Sequence, residues 1–130
     1  MQVFRVEHPE TFDGPFNSYH GFYCGEVRAL YSDPIHFPAA WDDCFDSSHF
    51  IAGNYRDHVC GLDTLKLLRY WFEHPIVVPR LAACGYQITE FDVHPDNVRF
   101  GKSLKQLMFD RTKAKLVKRL PIQEVLRCEE

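Results

Sequence analysis

The residues of this chain best suited to chemistry are its seven histidines, five cysteines and 18 carboxylates. No H-x-x-x-H or H-E-x-x-H pattern is present, so no two histidines share the face of a helix as metal ligands. The cysteines contain no C-x-x-C pair, with which a closed zinc site usually begins; they are Cys24, Cys44, Cys60, Cys84 and Cys128. We therefore predict no metal site and reduced thiols without disulfides, as in a cytoplasmic protein.

Catalytic groups can be picked from the sequence, but none has the motif that its chemistry requires. Asp42 and Asp43 are adjacent, so their side chains point apart, which suits a charged surface better than a shared acid–base site. Ser47, His49 and Asp46 are the groups of a serine triad, but no G-x-S-x-G turn accompanies them. Glycine loops that bind phosphates are also absent from the sequence. The sequence therefore predicts no catalytic residue.

Charge is unevenly divided along the chain. Residues 1–64 contain ten acidic residues and three arginines, a net charge of −7, whereas residues 65–130 contain eight acidic and twelve basic residues, a net charge of +4. Residues 99–119 alone hold eight bases and one acid. The two halves can pair with each other, the basic segment can bind nucleic acid, or the acidic half can occupy a basic groove on another protein. The overall charge of −3 favours an acidic surface with a basic partner.

The acidic half supplies the residues that we predict to bind this partner. Acidic side chains can mimic nucleic acid by presenting a similar electrostatic field, and one tryptophan can serve as an aromatic anchor. The predicted partner is a protein complex that handles nucleic acid, with no membrane and no cofactor involved. The predicted partner-binding residues are Glu26, Asp33, Trp41, Asp42, Asp43 and Asp46.

The secondary-structure elements that must position these residues are short, and both helices and strands are among them. Alternation and helical spacing predict a strand at 3–7, helices at 63–72 and 79–84, strands at 86–93, 98–100, 104–109 and 113–120, and a short helix from Pro121. Residues 9–23 and 33–46 are interpreted as loops. This order predicts one compact α+β domain over residues 1–130, with an antiparallel sheet and two to three helices. No apolar run reaches the ~18 residues of a membrane helix, and from the residues at the start we expect no secretory signal.

Six short motifs, spread over about two thirds of the chain, carry a resemblance to known proteins. They are R-V-E-H at 5–8, G-P-F at 14–16, W-D-D at 41–43, C-G at 60–61, W-F at 71–72 and L-K-Q-L-M-F at 104–109. Together they resemble small phage and prophage proteins, whose loci encode anti-defence proteins such as anti-CRISPR inhibitors. The resemblance implies a non-enzymatic inhibitor in the cytoplasm of the host cell, which blocks nucleic-acid binding by a host complex.

A second resemblance is to the ADP-ribosyltransferase fold. It rests on an opening strand with an arginine, a helix after a loop and a late strand with K-Q-L-M-F. The resemblance places Arg5 at the basic residue that holds the cofactor, and Leu104 and Gln106 at the two glutamates of the E-x-E motif. A neutral amide cannot stabilise an oxocarbenium charge as a carboxylate does. The alternative implied is an NAD- or ADP-ribose-binding protein, active or degenerate, with Arg5, His8 and Gln106 in a pocket between the first and late strands.

Overall fold

The computed structural model describes residues 1–17, 21–44 and 57–127, and these residues form an α+β fold with two three-stranded antiparallel sheets. The first sheet has the order β1–β3–β6 and consists of Gln2–Glu7 (β1), Gln87–Asp92 (β3) and Lys115–Pro121 (β6). The second sheet has the order β2–β5–β4 and consists of His58–Gly61 (β2), Leu107–Asp110 (β5) and Val98–Phe100 (β4). The predicted α+β class with antiparallel strands is confirmed, and two small sheets replace the one expected.

Four α-helices and four 3-10 helices complete the described part of the chain. The α-helices are Gly25–Leu30 (α1), Ala40–Cys44 (α2), Leu65–Phe72 (α3) and Val77–Ala83 (α4). The 3-10 helices are Pro15–Asn17, Pro95–Asn97, Arg111–Lys113 and Ile122–Arg127. Thr64 caps α3 by accepting a 3.1 Å hydrogen bond from the Leu67 amide. Gly85 follows the C-cap of α4, and its φ of +86° gives the left-handed turn with which helices often end. None of these helices is both long and apolar enough to cross a membrane.

The structure corrects several element boundaries. Helix α2 lies inside residues 33–46, so the interpretation of that whole segment as a loop is wrong; a five-residue helix is too short to show a 3.6-residue apolar period. Helix α1 and strand β2 also had no predicted counterpart. The strand expected at 104–109 begins at Leu107, because Leu104 has a φ of +61° and therefore lies in a turn. Helix α4 begins at Val77, which places Pro79 within its first turn.

The first sheet separates two apolar clusters, and strand β1 contributes to both. Alternate residues of a strand face opposite sides, so Phe4 and Val6 face the helices while Val3 faces the second sheet. Phe4 also exchanges two 2.7 Å backbone hydrogen bonds with Leu62, which joins β1 to the chain just after β2. Both faces of β1 are therefore covered. Arg5, two residues after Val3, must find polar partners inside the protein.

Candidate ligand-binding site

A cavity of about 520 Å³, partly open to solvent, borders strands β1 and β2 and helix α3. This volume lies within the roughly 300–1,000 Å³ of small-molecule sites. Aromatic rings form much of its wall: Phe4, Phe16, Tyr23, Tyr31, Phe37, Trp71 and Phe72. The polar side chains that line it are Arg5, Ser32, His58, Cys60 and Gln106. No aspartate or glutamate is present among the described residues of the lining.

Ring–ring contacts and hydrogen bonds fix the aromatic wall. Phe16 lies at its centre, with ring centroids 4.9 Å from Tyr31 and 5.2 Å from Tyr23, both edge to face. The Tyr31 hydroxyl donates to the backbone carbonyl of Trp71, and burial raises the pKa of that hydroxyl, so it stays protonated. The Trp71 indole nitrogen donates to the Lys105 carbonyl at 2.8 Å. The wall is thus shaped before any ligand arrives.

Arg5 lies at the cavity with its guanidinium held by the protein. Its Nε donates to Glu7 Oε2 at 3.0 Å, its Nη1 to the Cys60 carbonyl at 2.8 Å and its Nη2 to the Phe12 carbonyl at 3.2 Å. A Cβ at Gly14 would lie 3.2 Å from Nη2, so the loop approaches this closely because residue 14 has no side chain. Arg5 therefore ties β1 to β2 and to the loop, and few of its donors remain for a ligand.

Gln106 presents an acceptor at the same cavity. Its Nε2 donates to the Pro38 carbonyl at 2.6 Å and to Asp43 Oδ2 at 3.2 Å, which fixes the amide. Its Oε1 accepts no hydrogen bond from the residues that the structure describes, so it can receive a donor from a ligand. Arg5 and Gln106, two of the three residues of the nucleotide-binding alternative, therefore border one cavity. His8 does not line it and lies edge to face against Tyr86, with ring centroids 5.9 Å apart.

Burial changes the pKa of His58 in the lining and of Cys44 on α2. Burial lowers the pKa of His58, although the Asp110 carboxylate opposes this effect. Burial also raises the pKa of the Cys44 thiol to about 12, assisted by Asp43, so that thiol is unreactive at neutral pH. The four described cysteines are free thiols. In the described ranges, no three His, Cys, Asp or Glu side chains converge as metal ligands would.

The structure distributes the predicted partner-binding residues over three segments. Glu26 is exposed on α1 and Asp42 is exposed on α2. Asp33 is exposed in the loop between them, and its Oδ2 lies 2.6 Å from His36 Nδ1; this hydrogen bond is the main cause that lowers the pKa of Asp33. Trp41 belongs to α2, but its side chain is outside the described part, as is the whole of Asp46.

Asp43 was predicted to bind a partner at the surface, and this prediction is wrong because its side chain faces the interior. It is 6% exposed, and its carboxylate accepts hydrogen bonds from the Ser103 amide at 2.8 Å and the Ser103 hydroxyl at 2.6 Å. Together with the Gln106 bond, these contacts fix the loop between β4 and β5. Adjacent residues on a helix point in different directions, so the exposed Asp42 and the buried Asp43 cannot act as a surface pair.

The basic segment is likewise divided between different surroundings. Arg111 and Arg119 lie against the buried Glu7, whereas Lys118 lies 3.9 Å from Glu90. Arg99 donates to the Cys44 carbonyl at 2.7 Å. Part of the charge in residues 99–119 is therefore paired with acids or bound to backbone carbonyls.

Sequence reasoning missed most of the cavity. Phe16, Tyr31, His58 and Trp71 line it but were not predicted as site residues, and residues 9–23 were interpreted only as a loop. Apolar and aromatic residues in one sequence give no indication of whether they fill a core or line a cavity. That distinction depends on how the segments pack.

Comparison with known protein families gives a match over most of the chain. A family model described as Bacteriophage T4 Y00F protein matches residues 1–123, which is nearly the whole chain. No curated protein and no solved structure is significantly similar to the chain. The match confirms the phage part of the resemblance, while anti-defence activity and nucleotide binding remain predictions.

Proposed function

This chain belongs to the Bacteriophage T4 Y00F protein family, and we propose that it binds a small heteroaromatic ligand in the aromatic cavity. The ligand class is a neutral planar heterocycle, such as the adenine base of NAD or ADP-ribose, or free nicotinamide. The observation that carries the proposal is a ligand-sized cavity whose walls are aromatic and whose lining includes the available Gln106 carbonyl. The absence of carboxylates among its described lining residues favours binding over catalysis.

The chemistry of the lining selects this ligand class. Aromatic rings contact a planar heterocycle through stacked and edge-to-face arrangements, as they contact one another here. The Gln106 Oε1 can accept from the exocyclic amide of nicotinamide or the amino group of adenine. An anionic buried group would find few free N–H groups on Arg5, because that guanidinium already donates to Glu7 and to two backbone carbonyls. A cationic group would find no carboxylate among the described residues of the lining. The buried part of the ligand is therefore neutral and planar.

Fluorescence and thermal melting test this proposal with nicotinamide, adenosine, NAD and ADP-ribose, each up to millimolar concentration. Trp71 lines the cavity, so in a Trp41→Phe background we expect a bound ring to quench its emission and to raise the melting temperature. Ala40→Leu adds bulk to the lining and should abolish both effects. Ala29→Leu makes the same change on an exposed helical site that does not line the cavity and should preserve them.

Two results would count against ligand binding. The first is the absence of any quenching or melting shift with all four compounds at millimolar concentration. The second is an equal response from the Ala40→Leu and Ala29→Leu proteins, since the ligand would then bind elsewhere. Urea unfolding of each variant shows whether the fold is retained.

Inhibition of a host complex through acidic residues is the second candidate function, favoured by the phage family and by the exposure of Glu26, Asp33 and Asp42. In this hypothesis the protein acts as an anti-CRISPR-like nucleic-acid mimic against a basic surface. Reversing Glu26 and Asp42 to lysine should weaken binding to such a complex and reduce its salt dependence. Unchanged capture of the partner by the doubly reversed protein would contradict it.

A further inference from the structure

A second polar cluster lies on the face of the first sheet that carries Arg5, and positive charge predominates in it. The carboxylate of Glu7 is 0% exposed and is surrounded by three arginines. Arg111 binds it with two hydrogen bonds, Nε to Oε2 at 3.1 Å and Nη2 to Oε1 at 2.8 Å. Arg5 donates to Oε2, and Arg119 Nη2 lies 3.6 Å from Oε1. One carboxylate thus neutralises one of three guanidinium charges.

Arg119 has the largest unused hydrogen-bonding capacity in this cluster. No hydrogen bond between residues of the described ranges uses any of its five N–H groups, and its buried Nε has no partner. Thr89, its register partner on β3, is 0% exposed, and its hydroxyl also has no hydrogen-bond partner in the described part of the chain. Buried polar groups are normally satisfied, so this row of the sheet retains donors that an additional acceptor would satisfy.

Arg111 keeps part of its fork available as well. Its Nε and Nη2 bind Glu7, whereas Nη1 makes no hydrogen bond within the described part of the chain. The Phe12 ring lies 4.0 Å from Arg111 Cζ and 6.0 Å from Arg119 Cζ. This cation–π contact restrains the Arg111 side chain. It leaves the N–H groups of Arg111 able to donate to an acceptor. The side chains of Arg111 and Arg119 remain 23% and 28% exposed, so solvent and solutes reach both.

We propose that Arg111 and Arg119 form a binding site for a single phosphate group. Two guanidinium forks with free N–H groups, both close to Glu7 Oε1, match the oxygens of one tetrahedral anion. The site lies outside the aromatic cavity, because neither arginine lines it. A groove that binds nucleic acid needs cations spread along the path of the nucleic-acid backbone, whereas Arg111 and Arg119 lie together beside Glu7 Oε1. The phosphate is therefore that of a small phosphomonoester.

Phosphate binding is measured with inorganic phosphate by ³¹P NMR and by thermal melting, against sodium chloride at equal ionic strength. We expect phosphate, but not chloride, to stabilise the wild-type protein. Arg119→Gln should weaken phosphate binding at least tenfold, because it removes the guanidinium that has free N–H groups. Glu7 still accepts hydrogen bonds from Arg5 and Arg111 in this variant, so the cluster should stay folded. Lys118→Gln is the matched control: it removes the same charge from the adjacent residue, which is 56% exposed and faces Glu90. Its phosphate affinity should stay within twofold of the wild-type value.

Other outcomes would overturn the proposal. No selective effect of phosphate on the wild-type protein, or equal losses in Arg119→Gln and Lys118→Gln, would show that only general charge attracts the anion. AMP and a 20-nucleotide single strand separate the two sources of phosphate. The binding of AMP should depend on Arg119, as the binding of inorganic phosphate does. A single strand that binds more tightly than AMP per phosphate and loses equal affinity in both variants would instead indicate a nucleic-acid surface.

Discussion

Replacement of the buried Glu7 by glutamine tests the electrostatic organisation of the protein most directly. The substitution keeps the size of the side chain and one carbonyl acceptor but removes the negative charge. Arg5, Arg111 and Arg119 would then face one another without the carboxylate that now lies within 3.6 Å of each. Because Glu7 is fully buried, water cannot take over its role without a rearrangement of β1.

The expected magnitude follows from the burial and the number of bonds. Removing one partner of a buried ion pair typically costs about 3–5 kcal/mol, because the remaining charge stays buried and uncompensated. Glu7 accepts three hydrogen bonds from arginines, two of them from the Arg111 fork, so we expect a value in that range. Native domains are stable by only about 5–15 kcal/mol, so the variant should lose a large part of its stability. For a chain of this length, the melting temperature should fall by roughly 10–20 °C.

Urea unfolding followed by circular dichroism measures the loss, with Glu73→Gln as the control. Glu73 forms an exposed pair with Arg69 on one helical turn, and breaking such a pair costs about 0.3–0.5 kcal/mol. The Glu73 effect should shrink in 1 M salt, whereas the Glu7 effect should persist because buried charges are screened less. A loss below about 1 kcal/mol for Glu7→Gln would refute the conclusion that this carboxylate organises the three arginines.

Three further substitutions test the strand crossing at Gly61, the loop held by Asp43 and the half-buried His58. Gly61→Ala would place a Cβ 2.7 Å from a Val3 methyl group, and we expect a destabilisation of about 1–3 kcal/mol by urea unfolding. Asp43→Ala leaves the amide and hydroxyl of Ser103 without their acceptor and should cost about 2–3 kcal/mol, whereas exposure of Asp43 would predict almost none. Burial lowers the pKa of His58 below its ordinary 6.5, so the unfolded chain binds the proton more readily and stability falls as the pH drops below about 6.5. His58→Gln should flatten this part of the pH profile, and an unchanged profile between pH 7 and 5 would contradict the assignment.

The sequence alone was sufficient for elements whose patterns are local and repeated. Strand β1, helix α3 and strand β3 were predicted within one or two residues of their ends, because alternation and helical spacing reflect backbone geometry. The end of α4 was also predicted within one residue, and Gly85 follows it with a left-handed φ that glycine adopts readily. Helices α1 and α2 escaped prediction because elements of six and five residues are stabilised by what they pack against.

The candidate site depended on tertiary structure. Arg5 and Gln106 were selected from the sequence through a family resemblance, but their common cavity exists only because β1, β2 and the end of the β4–β5 loop pack together. Asp42 and Asp43 look equivalent in the sequence, yet one is exposed and the other binds Ser103. The same residue type thus has a different role on each side of a helix.

By itself, the sequence determined the α+β class, the main strands and helices and the phage resemblance, because each depends on local patterns or shared motifs. Only the tertiary structure decided which charges are buried and which are available. Arg111 reaches Glu7 across 104 positions of the chain, and no local pattern records such a distance. Burial and charge pairing are set by the packing of distant segments, which also determines where ligands can bind.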